Sequence, residues 1–329
     1  MDGLTDFITK YRWEDIFTVW YVLVDDAQQV LQRHFGEWRR RGPKPLFSDS
    51  EVITVALIAD TYFAGDEDKT LSFVRQYHIQ MFPMLPTPGQ FNYRRRALCL
   101  IIEQVRQLII SQWNLLLTQT QEGDADLHTD TLRLTDSAPI PVCTYTRARQ
   151  NKTMLQAMGQ DRSLYFGVMP SRKAGLFGFR LHVSASFEQV IDTWLLAPAS
   201  IHDGQVTGFY EAQEGGALAE LLMLGDGAFN NPGWLASLRY KHGANLQIWA
   251  LPRRDTRKPW PAQFRAVVGK VRRRVESAFS VLCTVFNIEQ PRARSLQGLV
   301  CRVATRLLAY TLCFITGPLL AFCGFHTQN

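Results

Sequence analysis

Thr131-Leu132-Arg133-Leu134-Thr135-Asp136 alternates polar and apolar residues with a period of two and ends on an acid. That alternation is the pattern of a β-strand with one buried face. Just upstream, Glu122-Gly123-Asp124 is a linker at which helical patterning gives way to strand patterning. Just downstream, Ser137-Ala138-Pro139-Ile140-Pro141 carries two prolines, which predict that the strand stops past Asp136. Residues 176–186 and 190–196 form a predicted hairpin pair, and 221–224 is a short apolar run suited to a buried strand. Residues 231–240 read as a helix, 245–251 as a strand and 264–286 as a long helix. Early strands, then alternating helix and strand, then a helix define a mixed α/β domain.

The region before the linker reads as helical throughout. Ile16, Val19, Trp20, Leu23, Val30 and Leu31 recur at helical spacing. Ser48 with Glu51, and Thr87 with Gln90, are capping boxes, and Pro88 suits the first position of the second helix. One long helix is expected from Pro88 onward, with Phe91, Leu98, Ile102, Val105, Ile109 and Trp113 along one side. At the far end, 307–325 is uncharged and long enough to span a bilayer. Gly317-Pro318 breaks it, so a buried helical hairpin is the expectation, with no membrane partner.

Charge points to a polyanion. The chain of 329 residues carries a formal net charge of +6. Basic residues cluster at Arg39-Arg40-Arg41, at Arg94, Arg95 and Arg96, at Arg253 and Arg254, and at Lys270, Arg272, Arg273 and Arg274. Several of these runs stand beside aromatics such as Trp38, Tyr93 and Trp260, as in nucleic-acid-binding surfaces. Six cysteines form no CxxC pair, which argues against a zinc site and for reduced thiols in a cytoplasmic protein.

Three acids have the order strand, strand, helix. Two-metal phosphoryl transfer needs carboxylates that converge on one point, and strand ends facing a helix supply that. Asp136 ends the first strand; Asp130 lies six residues earlier on the same face, and Asp124 and Asp126 are also near. Asp226 follows the buried run and is flanked by Gly225 and Gly227. Glu276 lies at the edge of an apolar stripe of Val268, Val271, Val275, Phe279, Leu282 and Phe286, with Arg272 one turn before it. The ordinary readings are turn residues for the two aspartates and a surface ion pair for Arg272 with Glu276.

Taken together, several segments resemble bacterial insertion-sequence DDE transposases, and most closely the insertion-sequence-982 family. They are Leu46-Phe47-Ser48-Asp49-Ser50-Glu51, Phe82-Pro83-Met84-Leu85-Pro86, Gln90-Phe91-Asn92-Tyr93-Arg94-Arg95-Arg96 and Asp136-Ser137-Ala138-Pro139-Ile140-Pro141. Phe177-Gly178-Phe179-Arg180-Leu181-His182, Ser200-Ile201-His202-Asp203, Gly225-Asp226 and Arg274-Val275-Glu276-Ser277-Ala278-Phe279 complete the set. The resemblance implies an RNase H-like catalytic domain over 123–296, preceded by an all-helical DNA-binding domain over 1–122 and followed by a helical tail over 297–329. It assigns the triad, and the binding of two Mg²⁺ ions for which Mn²⁺ substitutes, to Asp136, Asp226 and Glu276. It implies cleavage and strand transfer at insertion-sequence ends, double-stranded DNA and a homodimer as partners, and a cytoplasmic, nucleoid-associated location. DNA contacts are expected from Arg94, Arg95, Arg96, Arg253, Arg254, Lys270, Arg272 and Arg273. The wider group carries Tyr, Arg, Glu and Lys around the catalytic Glu; Gly269 and Cys283 stand here where Tyr and Lys would be. Rival readings are an RNase H-like nuclease that does not join strands and a catalytically silent, transposase-derived DNA-binding protein.

Overall fold

A computed structural model describes residues 11–38, 42–120, 132–150, 161–169, 174–201, 203, 206, 222–225, 227, 233, 236, 237, 240, 247–250 and 260–322. The chain divides into two compact units, Met1–Thr120 with Leu282–Asn329, and Gln121–Val281.

The second unit is built on a mixed sheet of six strands. These are β1 (Leu132–Thr144), β2 (Phe166–Met169), β3 (Ala174–Ala185), β4 (Ile191–Pro198), β5 (Leu222–Gly225) and β6 (Gln247–Ala250). β3 runs antiparallel to β1, β2 and β4, while β5 runs parallel to β1 and β6 parallel to β5. β1 is thus the strand at which the sheet changes from antiparallel to parallel. The expected strands at 176–186, 190–196, 221–224 and 245–251 all occur, within two or three residues. The helix expected at 231–240 falls mostly outside the described residues.

The prolines do not end β1. The strand continues through both, with Pro139 abreast of Arg180 and Pro141 abreast of Gly178, before its register shifts between Pro141 and Cys143. Parallel pairing with β5 involves only Leu132, Arg133 and Leu134. Among the described residues, no strand pairs with that edge of β1 beyond Leu134, so proline's missing N–H breaks no ladder there. Gly178 admits the close approach: a Cβ on it would lie 2.4 Å from the Ile140 carbonyl oxygen.

Abreast residues share a face of the sheet. One face carries Leu134, Ala138, Ile140, Phe179, Leu181 and Val183, all buried and apolar, with Asp136 set among them. The other carries Thr135, Ser137, Arg180, His182 and Ser184.

The first unit is helical: α1 (Trp13–Phe35), α2 (Asp49–Tyr62), α3 (Glu67–Tyr77), α4 (Pro88–Ala97) and α5 (Cys99–Thr120). α6 (Ala262–Thr284) runs from the second unit into this one, which α7 (Leu296–Phe322) completes. Both capping boxes form, at Ser48–Glu51 and Thr87–Gln90. The single long helix expected from Pro88 is two, because α4 ends at Ala97 and is capped by Leu98, whose N–H is shared among the carbonyls of Arg94, Arg95 and Arg96. The C-terminal hairpin is also corrected. α7 runs through Gly317-Pro318, and it packs on α5 and α2. Its window Leu296–Gly317 is apolar enough to cross a membrane, but 78% of it is buried inside the fold.

A buried ion network joins these helices. Asp60 of α2 is fully buried and holds both Arg95 of α4 and Arg306 of α7, the latter at 3.4 Å. Glu67 of α3 holds Arg95 and Arg302, each at 3.0 Å. Burial pushes the Arg306 guanidinium down to about 10, against the pull of Asp60, so it stays charged at neutral pH. Arg95, expected as a DNA contact, is 1% exposed, and both of its terminal nitrogens are engaged by carboxylates. Arg95→Ala should therefore destabilise the helical unit by about 3–5 kcal/mol, because Asp60 loses a buried partner. Urea unfolding followed by circular dichroism measures this; a change within about 0.5 kcal/mol would mean that the network is dispensable.

Candidate active site

Asp136 is placed by β1 and Glu276 by α6. α6 buries Val268, Val275, Ala278, Phe279 and Leu282, much as the apolar stripe predicts. That orientation brings Arg272 and Glu276, one turn apart, to the margin of the buried side. Arg272 Nη2 lies 3.6 Å from Asp136 Oδ2 and 3.6 Å from Glu276 Oε1. Two carboxylates from different elements thus face one guanidinium nitrogen. Asp136 and Arg272 are each 19% exposed and Glu276 is 50% exposed, so the cluster lies at the rim of the unit. The Ser137 N–H donates to Asp136 Oδ1 at 2.8 Å and fixes the carboxylate's orientation.

β5 ends at Gly225, one residue before Asp226, which lies outside the described residues. The same is true of Asp124, Asp126, Asp130, His202, Arg253 and Arg254. Among the described residues, no cluster of three or more potential metal ligands occurs.

The basic residues have different environments. Lys270 and Arg273 are exposed on α6. Arg272 is engaged by the two carboxylates. Arg94 is held by Asp49 at 2.5 Å and by the Phe47 carbonyl. Arg274 stacks 3.8 Å from the centre of the Phe187 ring and donates to the Phe187 carbonyl.

A second polar group lies on the opposite face of β1. Ser137 is abreast of His182, and Arg180 donates to Ser137 Oγ at 3.2 Å. His182 is fully buried, with Nδ1 3.2 Å from Asp203 Oδ1 but not in the geometry of a straight hydrogen bond. Burial would raise the Asp203 carboxyl, but His182 and Ser137, aided by Arg180, outweigh it and hold the group below its usual range. Sequence reading noted both segments, 177–182 and 200–203, but not that His182 and Asp203 meet. Nothing in their spacing shows it, since the contact is made only when β3 is in place.

A family model described as the transposase DDE domain matches residues 128–312, more than half of the chain. No curated protein and no solved structure gives a match.

The depressed Asp203 implies a pH-dependent contribution to stability. A carboxyl lowered on folding stabilises above its unfolded pKa, and the gain disappears as pH falls through the folded value. Asp203→Asn should therefore lower the urea midpoint at pH 7, and the gap from wild type should narrow as pH approaches 3. A gap that stays constant from pH 7 to 3 would mean that the Asp203 charge contributes nothing.

Proposed function

The chain belongs to the transposase DDE-domain family, and on that basis we propose that it cleaves DNA at insertion-sequence ends and transfers the freed strand to target DNA. The observation that carries this reading is the approach of Asp136 and Glu276 to one nitrogen of Arg272, each at 3.6 Å. A position that two carboxylates share with a positive charge suits a cation, and an oxygen-only donor set suits hard Mg²⁺. Asp136 and Glu276, with Asp226 as the third acid, would hold the metal. Mg²⁺ bound there would supply electrostatic stabilisation to phosphodiester displacement.

The chain's own residues do the rest. The Ser137 amide aims Asp136, and Arg272 keeps Asp136 and Glu276 in mutual register. β1 and α6 are regular elements, which hold a site more tightly than loops do. Lys270 and Arg273 are exposed on the same helix as Glu276 and can bind DNA phosphates by charge. In the first reaction water displaces a 3′-hydroxyl from its phosphodiester at the element end. In the second that 3′-hydroxyl attacks a target phosphodiester and displaces a target 3′-hydroxyl, so one bond forms for each one broken. Both ends of an element must be held for it to move, which a homodimer would provide.

The sheet supports an RNase H-like reading of this unit: β3 and β4 add antiparallel strands on one side of β1, and β5 and β6 add parallel strands on the other. Closeness to the insertion-sequence-982 family rests on the motifs quoted above. Both belong to the proposal, as do the two Mg²⁺ ions.

Asp136→Asn, Asp226→Asn and Glu276→Gln should each preserve DNA binding and reduce cleavage by orders of magnitude. Each tenfold loss corresponds to about 1.4 kcal/mol of transition-state stabilisation. Labelled element ends assayed for nicking and for joined product provide the measurement. Mg²⁺ or Mn²⁺ should support both reactions, while Ca²⁺ should permit binding without efficient cutting. Cleavage without joined product would leave a simple nuclease, and wild-type turnover in EDTA would contradict the carboxylate reading.

A further inference from the structure

The helical unit contains a cavity of about 370 Å³ lined by five arginines and one acid, Glu67. Its volume is within the range of about 300–1,000 Å³ usual for small-ligand sites. Arg95 and Arg302 both use Glu67 Oε1, and Asn92 donates to its other oxygen at 2.8 Å. The acid is therefore fully engaged by groups already in place. Arg96, Arg292 and Arg294 remain. Arg292 reaches Asp66 only at 3.5 Å and is half exposed. Arg96 and Arg294 make no ion pair among the described residues, and the Arg96 Nε is buried without a hydrogen-bond partner.

The cavity also lines the start of α7. Ser295 accepts from the Gly298 N–H at 3.2 Å, and the first turn contains no acidic residue. A helix start carries a partial positive charge that acidic residues or anions normally offset. Here the helix start and the surplus guanidiniums repel one another, and an anion would relieve both. Arg292 and Arg294 are exposed while Arg96 is half-buried, a graded arrangement suited to drawing in a backbone phosphate.

We propose that this cavity binds a phosphate of the DNA backbone, with Arg96, Arg292, Arg294 and the amides at the start of α7 as donors. The source of the phosphate rests on the transposase reading. Of the run Arg94-Arg95-Arg96, only Arg96 faces this use, while its neighbours serve the fold.

The test uses the full chain and a labelled duplex, titrated at several salt concentrations without divalent metal. Arg96→Ala with Arg294→Ala should weaken binding on the order of tenfold and flatten the log–log salt slope by roughly 0.9 for each phosphate no longer neutralised. The corresponding Arg→Lys pair should keep most of the slope. Ser295→Asp preserves the cap and supplies a built-in anion, so it should raise the melting temperature while weakening DNA binding. If the alanine pair does not fold, the lysine pair and Ser295→Asp carry the test. Wild-type affinity and slope in folded variants would overturn the proposal. So would inorganic phosphate raising the melting temperature of wild type but not of the variants while their DNA slope stays unchanged, because the cavity would then take free phosphate only. Binding is measured without cleavage, so an absence of strand transfer leaves this result intact and counts against the catalytic reading alone.

Discussion

Asp60 is fully buried, and a buried carboxylate is tolerable only with its charge matched and its oxygens occupied. Arg95 and Arg306 meet that demand from α4 and α7, which lie far from α2 and from each other in sequence. Glu67 and Arg302 extend the network, and Gly65 allows it to close. Gly65 has a φ of +77°, and a Cβ there would come within 2.9 Å of both Asp60 and Arg302. The two ends of the chain are thus tied into one helical unit by charge matching as well as by apolar packing. Removing one partner would leave an uncompensated charge where water cannot reach it.

The same chemistry has a different role at the rim of the other unit. Arg272 is shared by Asp136 and Glu276 at 3.6 Å from each, with Glu276 half exposed. Screening by solvent makes such a pair weak as a source of stability. A weakly held, partly exposed meeting of two acids is easier to rearrange than the Asp60 network. His182 and Asp203, by contrast, are buried, with His182 on the strand beside the one that carries Asp136.

Arginine runs illustrate how little a run of like charges says about role. Arg94, Arg95 and Arg96 are consecutive on α4, so the helix points them in directions about 100° apart. One is partnered by Asp49, one is buried on Asp60 and Glu67, and one lines the cavity at the start of α7. On α6 the same rotation separates exposed Arg273 from Arg272, which faces the carboxylates.

Local rules that act over a few residues were legible in the chain itself. The alternation over 131–136, the two capping boxes and the apolar stripe of α6 each depend on neighbours in sequence, and each forms accordingly. The placing of Asp136 on a strand and Glu276 on a helix was legible for the same reason. Judgements that depend on distant neighbours failed or stayed open. Two prolines argued for a strand end, but the missing partner beyond Leu134 lets β1 continue. Gly317-Pro318 argued for a break, but α7 runs through it. Arg95 looked like a phosphate contact, but Asp60 and Glu67 surround it. His182 with Asp203, and the cavity that joins Arg96 to Arg292 and Arg294, arise from segments tens to hundreds of residues apart. The sequence alone determined the local patterns of strand, cap and helical stripe and which acids the chain offers. The tertiary structure alone decided which charges are matched, because the energy of a charge depends on its surroundings in space and not on its neighbours along the chain.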